Sequence, residues 1–193
     1  MTLTLHHPDG QEFSFDAGAL SLELTFGTGG EGFRARFEIL HEPADLDRWT
    51  AMSRLGRPSV TTAADLAEVK RLREAIYFAT VAITDGGEPA RADVETINAY
   101  AAGPSPVPVI DPSGTTTWRG PLTGAEVVAE IARDAARTLG RPTRDRLRVC
   151  EGGRCGLTFL DSSRPGRRRW CSMQRCGNRH KVHTFRSRQE AAG

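Results

Sequence analysis

All four cysteines of this 193-residue chain lie between Cys150 and Cys176, and their spacing constrains the fold more than any other feature. They form two pairs, Cys150/Cys155 and Cys171/Cys176; four residues separate the members of each pair and fifteen separate the pairs. A divalent zinc ion takes four thiolates tetrahedrally, and a two-plus-two arrangement works because each pair occupies a tight local turn while the intervening chain brings the turns together. In "CEGGRC" two consecutive glycines allow the first turn to be sharp. The N-terminus, "MTLTLHHPDG", has neither a basic start nor an apolar run of about 7–15 residues, so no secretory signal is expected and the cytoplasm is the expected compartment. Thiols stay reduced there, which favours a metal over disulfides. Four cysteine ligands close the coordination sphere, whereas catalytic zinc needs an open position, so the expected cofactor is one structural Zn2+. His180 and His183 are set aside as ligands because four thiolates suffice.

The segments around the cysteines carry their own signals. "GLTFLD" and "RRRWC" read as extended and are joined by "SSRPG", where Pro165-Gly166 suits the central positions of a type II turn. Their pairing would deliver Cys171 to Cys155. Ser172 then suits an N-cap, with Cys176 in the first or second turn of a helix running through "MQRCGNRHKVHTFRSRQ". Knuckle, hairpin and helix in this order predict a treble-clef-like site.

Charge is divided along the chain. Residues 1–140 hold 12 Lys/Arg against 20 Asp/Glu, a net of −8, and residues 141–193 hold 14 against 4, a net of +10. Thirteen of those fourteen basic residues are arginine. Basic groups so concentrated repel one another and favour a polyanion nearby over the alternative of a merely solvated face. No apolar run approaches the roughly 18 residues that a membrane helix requires, so no membrane span is expected.

The expected fold class is α+β: a small N-terminal antiparallel sheet with helices, then the zinc module. Domains are expected at 1–140 and 145–193, folding and unfolding separately. "LTLHH" and "EFSFD" alternate apolar and polar residues across a turn, which predicts a hairpin. "LSLELTF" and "GFRARFEIL" keep the same period of two and are expected to extend the sheet. Helices are predicted from Pro43 to near Gly56, from Ala63 to Thr84, after Pro89, and from Gly124 to Leu139, and "DPSG" between extended runs suggests a hairpin or an excursion over the surface. The glycine cluster "GTGGEG" lacks a Lys-Ser/Thr continuation and is no phosphate loop. His6, His7 and His41 have no ligand pattern beside them. No catalytic motif stands in the first 140 residues, and no enzyme is expected.

The region from about Arg146 to Arg188, with both cysteine pairs, "FLD", "RRWCSM" and "CGNR", resembles the CGNR zinc finger, a small bacterial domain. Residues 18–140, through "EPADLDRW" and "LREAI", are similar to the ABATE-type domain that precedes this finger. The resemblance implies a DNA-binding finger on a stress-induced transcription regulator. Many members of that family carry an Asn-Thr pair after an early Phe. This chain has "FGTGG" there, so no ligand function tied to that pair is carried over.

The residues expected to meet nucleic acid are Arg167, Arg168 and Arg169 on the second hairpin strand, and Arg175, Arg179, Lys181, Arg186 and Arg188 on the last helix. By helical spacing Arg175, Arg179 and Arg186 share one stripe, and Lys181 and Arg188 share a neighbouring one. Arg179 is open to two roles, base reading or support of the zinc loop, while Asn178 is read as structural and Trp170 as core. DNA is the leading partner. The alternatives are an RNA-binding or ribosome-associated module, a protein-interaction module, and an enzyme in the first 140 residues to which the finger is an appendage. The sequence does not identify a small-molecule ligand of the N-terminal domain, and it leaves open whether the chain forms a homo-oligomer.

Overall fold

The structure, a computed structural model, describes residues 2–6, 10–152 and 155–190, without the side chains of His6, His183, Arg186, Arg188 and Glu190. The chain opens as predicted, with β1 (Leu3–His6) antiparallel to β2 (Glu12–Phe15) and Leu3 opposite Phe15, Leu5 opposite Phe13. Phe13 and Phe15 point into the protein, while Glu12 and Ser14 face water.

The sheet stops there, against expectation. "LSLELTF" is a helix, α1 (Leu20–Gly27), and "GFRARF" is a 3-10 turn from Gly32 to Phe37. Every residue from Leu20 to Thr25 is buried, so α1 has no polar face to imprint a period of 3.6. A short apolar run of this kind does not separate strand from helix. Between the two elements Gly29 adopts φ +99°, and a Cβ there would collide with the backbone at Glu38. "GTGGEG" is therefore a close crossing of backbone, which requires glycine.

The remaining helices follow the sequence signals closely. α2 (Pro43–Met52) starts on Pro43 and ends earlier than Gly56, at Ser53. α3 (Ala63–Thr84) starts at a capping box in which the Thr62 hydroxyl accepts from the Asp65 amide and the Asp65 carboxylate accepts from the Thr62 amide. α4 (Arg91–Ala101) follows Pro89, and α5 (Gly124–Leu139) begins on a second capping box between Thr123 and Glu126. Two short ladders complete this half. β3 (Ser59–Val60) lies parallel to β6 (Leu122–Thr123), and β4 (Pro108–Ile110) pairs with β5 (Thr116–Trp118) across "DPSG".

Apolar side chains form two clusters. The larger is helical, with Leu20 and Leu24 of α1, Trp49 of α2, Leu72 and Ile76 of α3, Ile97 of α4 and Ile131 of α5 among its members. The second joins Phe13, Phe15, Ala17 and Leu22 to Leu147, Phe159 and the cysteines Cys150, Cys171 and Cys176. The N-terminal hairpin and one side of α1 thus share a buried cluster with the basic half. Polar links reinforce it: the Arg144 guanidinium makes two hydrogen bonds of 2.8 Å to Glu88, and Arg168 donates to the Asp16 carbonyl at 2.8 Å.

One ion pair is deeply held. Arg73, 2% exposed, donates to both Glu38 carboxylate oxygens at 3.0 and 2.6 Å and also to Thr28. Burial raises the Glu38 pKa, but hydrogen bonds from Arg73 and the Leu40 amide outweigh it and hold the carboxyl below its usual range. With the folded pKa below the unfolded value of about 4.3, the stabilisation is complete above that pH and is lost as pH falls through the folded pKa.

Two expectations follow. Phe15→Ala empties a fully buried site and is expected to cost about 3–5 kcal/mol in urea denaturation. Because Phe15 shares a core with three cysteines, the same variant should lose metal faster to a chelator; wild-type metal retention in the destabilised variant would show that the two halves are uncoupled. Glu38→Gln removes the closer of the two carboxylates beside the buried Arg73 charge, leaving Glu74 at 3.5 Å from its Nε, and is expected to cost roughly 3 kcal/mol at neutral pH. The variant should also lose part of the wild-type decline in stability between about pH 5 and 3, as read by denaturation across pH.

Candidate metal centre

The cysteine module is built on a hairpin different from the expected one. β7 (Leu147–Val149) pairs antiparallel with β8 (Thr158–Leu160), so "CEGGRC" is the loop of this hairpin, and the Cys150 amide donates to the Leu157 carbonyl at 2.9 Å. "RRRWC" forms no strand. The reason lies at Asp161, which is fully buried and whose carboxylate accepts from the amides of Ser163 and Arg168, both at 2.9 Å. These bonds turn the chain out of the ladder after β8. The following turn closes from the Gly166 amide to the Ser163 carbonyl at 3.1 Å, which places Gly166, at φ +61°, in its last position rather than in a central one. "RRRWC" instead meets the first cysteine turn, where the Glu151 amide donates to the Arg169 carbonyl at 2.9 Å.

Ser172 is the N-cap residue by position but makes no side-chain cap bond. Its carbonyl instead accepts from the amides of both Cys176 and Gly177, at 3.0 and 3.1 Å, and the chain forms a wide π turn (Met173–Gly177) leading into α6 (Asn178–Glu190). Cys176 sits in this turn, just before α6, where the spacing predicted the first or second turn of the helix.

The four sulfur atoms converge, all within 4.8 Å of one another. Sγ of Cys171 is 3.5 Å from that of Cys155 and 3.6 Å from that of Cys176, and the Cys171 amide is 3.3 Å from Cys150 Sγ. Four thiolates about 2.3 Å from a tetrahedral zinc would be about 3.8 Å apart, so the donor set fits that ion in size and chemistry. Cys150, Cys171 and Cys176 are buried, Cys155 is half-buried, and all four are free of disulfides. As bare thiols they cannot all ionise. Hydrogen bonds from Cys155 and Cys171 pull Cys150 down to about 2, and donating to Cys150 pushes Cys155 up to about 12 and Cys171 higher still. A divalent cation removes this conflict by compensating the charge of all four sulfurs. Among the described residues no histidine joins the cluster. His180 instead lies beside the Trp170 ring, 5.5 Å between centroids.

Gly152 makes the convergence sterically feasible. A Cβ on it would stand 2.8 Å from Cys176 Sγ and 3.4 Å from Cys150 Sγ, so the first turn passes directly over the sulfurs.

The arginines divide into two sets. Arg168 faces inward: its guanidinium lies 4.0 Å from the Phe159 ring and donates to the carbonyls of Asp16, Trp170 and Cys171 at 2.5–3.0 Å. Arg175 is buried, with its guanidinium 4.9 Å from the Phe13 ring. Both were expected on the nucleic-acid face, and both instead hold the finger to the N-terminal hairpin and the segment that follows it. Arg167, Arg169, Arg179 and Lys181 are exposed. Arg169 pairs with Glu151 at 2.6 Å, and Arg179 Nη2 is 3.9 Å from Cys176 Sγ. Arg186 and Arg188 lie on α6, with side chains outside the described residues. Asn178 donates to the Gln174 carbonyl at 3.3 Å, and Trp170 packs against the second cluster, both consistent with structural roles. Sequence reading missed Arg168 as a brace and Asp161 as the residue that turns the chain; the buried acid in "FLD" was the available signal.

Metal analysis is expected to give one zinc per chain. Gly152→Ala should weaken zinc retention, because the added methyl group crowds the Cys176 sulfur, while a serine at Cys176 should abolish it. Competition with a chromophoric chelator checks both, and unchanged affinity in Gly152→Ala would contradict the packing described for the loop.

Comparison with known families agrees with this geometry. Residues 18–142 match ABATE, described as "Putative stress-induced transcription regulator", and residues 146–189 match the CGNR zinc finger. No curated protein is similar enough to the chain to match it. No helix among the described residues is long and apolar enough to cross a membrane. With the four-sulfur cluster, the finger match establishes the cofactor as one structural zinc. The ABATE match covers well over half of the chain, which therefore belongs to the ABATE family and ends in a CGNR zinc finger.

Proposed function

We propose that the chain is a cytoplasmic DNA-binding transcription regulator of the stress-response type. In this reading its N-terminal half senses or assembles, its zinc-ordered finger contacts duplex DNA, and it catalyses no reaction. The observation that carries the proposal is the basic surface left once the structural arginines are removed. Arg167, Arg179 and Lys181 remain exposed, Arg169 pairs with the exposed Glu151, and the finger half of the chain has a net charge of +10. Guanidinium and ammonium groups so placed meet phosphates, and such contacts position a protein on DNA without reading bases. The family description, a transcription regulator, supports the same partner.

The loss of Arg168 and Arg175 from this surface lowers the expected number of phosphate contacts to about four, from the exposed side chains with a share from Arg186 and Arg188. The slope of log affinity against log salt on duplex DNA is then expected to be about −4, at ~0.9 per contact. A double variant, Arg167→Glu with Lys181→Glu, should keep its zinc and bind all duplex sequences more weakly to a similar degree. Titration of the zinc-loaded protein with duplex DNA and with RNA at two salt concentrations checks both. Tighter binding to RNA at matched salt would move the function to an RNA module, and binding to neither at low salt would leave a protein partner.

A further inference from the structure

A cavity of about 220 Å3 lies where the N-terminal hairpin, α1, the 3-10 turn and the zinc loop meet. Its walls are largely aromatic and aliphatic, with Leu5, Phe13, Phe26, Phe37, Tyr77 and Leu157 among them. Three arginines also line it, Arg34, Arg175 and Arg179, and among the described residues no Asp or Glu does. Arg34 is fixed in place: its guanidinium lies 3.6 Å from the Tyr77 ring, bonds the Gly29 carbonyl at 3.3 Å and pairs with Glu74. One acid thus answers Arg34, while Arg179 approaches from the zinc side, beside Cys176.

We propose that this cavity binds a small aromatic carboxylate. A flat apolar ring suits aromatic walls, and guanidinium groups take a carboxylate through charge-assisted, bidentate bonds. The volume is below the ~300–1,000 Å3 of sites for drug-sized ligands, which accommodates a single ring with its acid group and excludes a nucleotide. Cys155 and Gly156 also form part of the wall, so an occupant touches the N-terminal half and the zinc loop at once. The binding does not rest on the DNA reading; only its consequence for the finger does.

Isothermal titration of the full, zinc-loaded chain with benzoate tests this, with benzyl alcohol and acetate as probes that each lack one half of the ligand. Saturable one-to-one binding of benzoate is expected, with the other two weaker on the order of tenfold or more. Leu157→Trp, which fills the cavity, should abolish binding, and Arg179→Gln should weaken it about tenfold, each judged in protein that retains one zinc. No benzoate binding at millimolar concentration, equal binding of benzyl alcohol, or full affinity in Leu157→Trp would each overturn the proposal. Because no DNA is present in the titration, failure to bind DNA leaves the result untouched.

Discussion

Four sulfur atoms crowded within 4.8 Å set the terms for the rest of the molecule. Without a cation the cluster can carry little charge, since a thiolate at Cys150 is held by protons that Cys155 and Cys171 must keep. Zinc permits four thiolates, and in doing so ties the loop between β7 and β8 to the turn before α6. A structural zinc of this kind contributes on the order of 10–16 kcal/mol of apparent binding energy, far more than the short β7–β8 ladder can supply. Among the described residues that ladder is three residues long on each strand, so the metal and the core beneath it carry the fold of the finger.

That core belongs to both halves of the chain. The two family matches begin at residue 18 and leave out the N-terminal hairpin, yet Phe13 and Phe15 of that hairpin pack in one cluster with Phe159 and three cysteines. Arg168 reaches the Asp16 carbonyl while crossing the Phe159 ring, and Arg175 lies against Phe13. The hairpin therefore acts as a platform for the finger. Opposite charge on the two halves adds the Arg144–Glu88 link, but exposed pairs of this kind are worth only about 0–1 kcal/mol, and buried apolar area outweighs them.

What the sequence made legible follows from how residues signal their surroundings. α3 and α5 were readable to the residue, because each has one buried stripe at spacings of three and four and a threonine cap with an acid three positions on. The metal site was equally plain, since four cysteines with this spacing have few other uses. α1 was not, because a helix buried from Leu20 to Thr25 has no amphipathic period and its alternating leucines imitate a strand. Strand pairing in the finger was also missed: "RRRWC" has the composition of a strand, but the Asp161 carboxylate, accepting the amides two and seven residues on, turns the chain first. The roles of Arg168 and Arg175 were hidden for a different reason. An arginine in a basic run reads as surface charge, and only three-dimensional packing shows a guanidinium lying on a phenylalanine ring.

The central claim is that zinc orders the finger and the N-terminal hairpin together through one shared core. Amide hydrogen exchange on the full chain, compared with and without bound zinc, tests it most directly. Removal of zinc is expected to release protection in β7 and β8 and also at the β2 amides around Phe13 and Phe15, while α3 and α5 keep theirs. Protection of β2 that persists unchanged while β7 and β8 exchange freely would contradict the shared core and show the finger to be an independent unit.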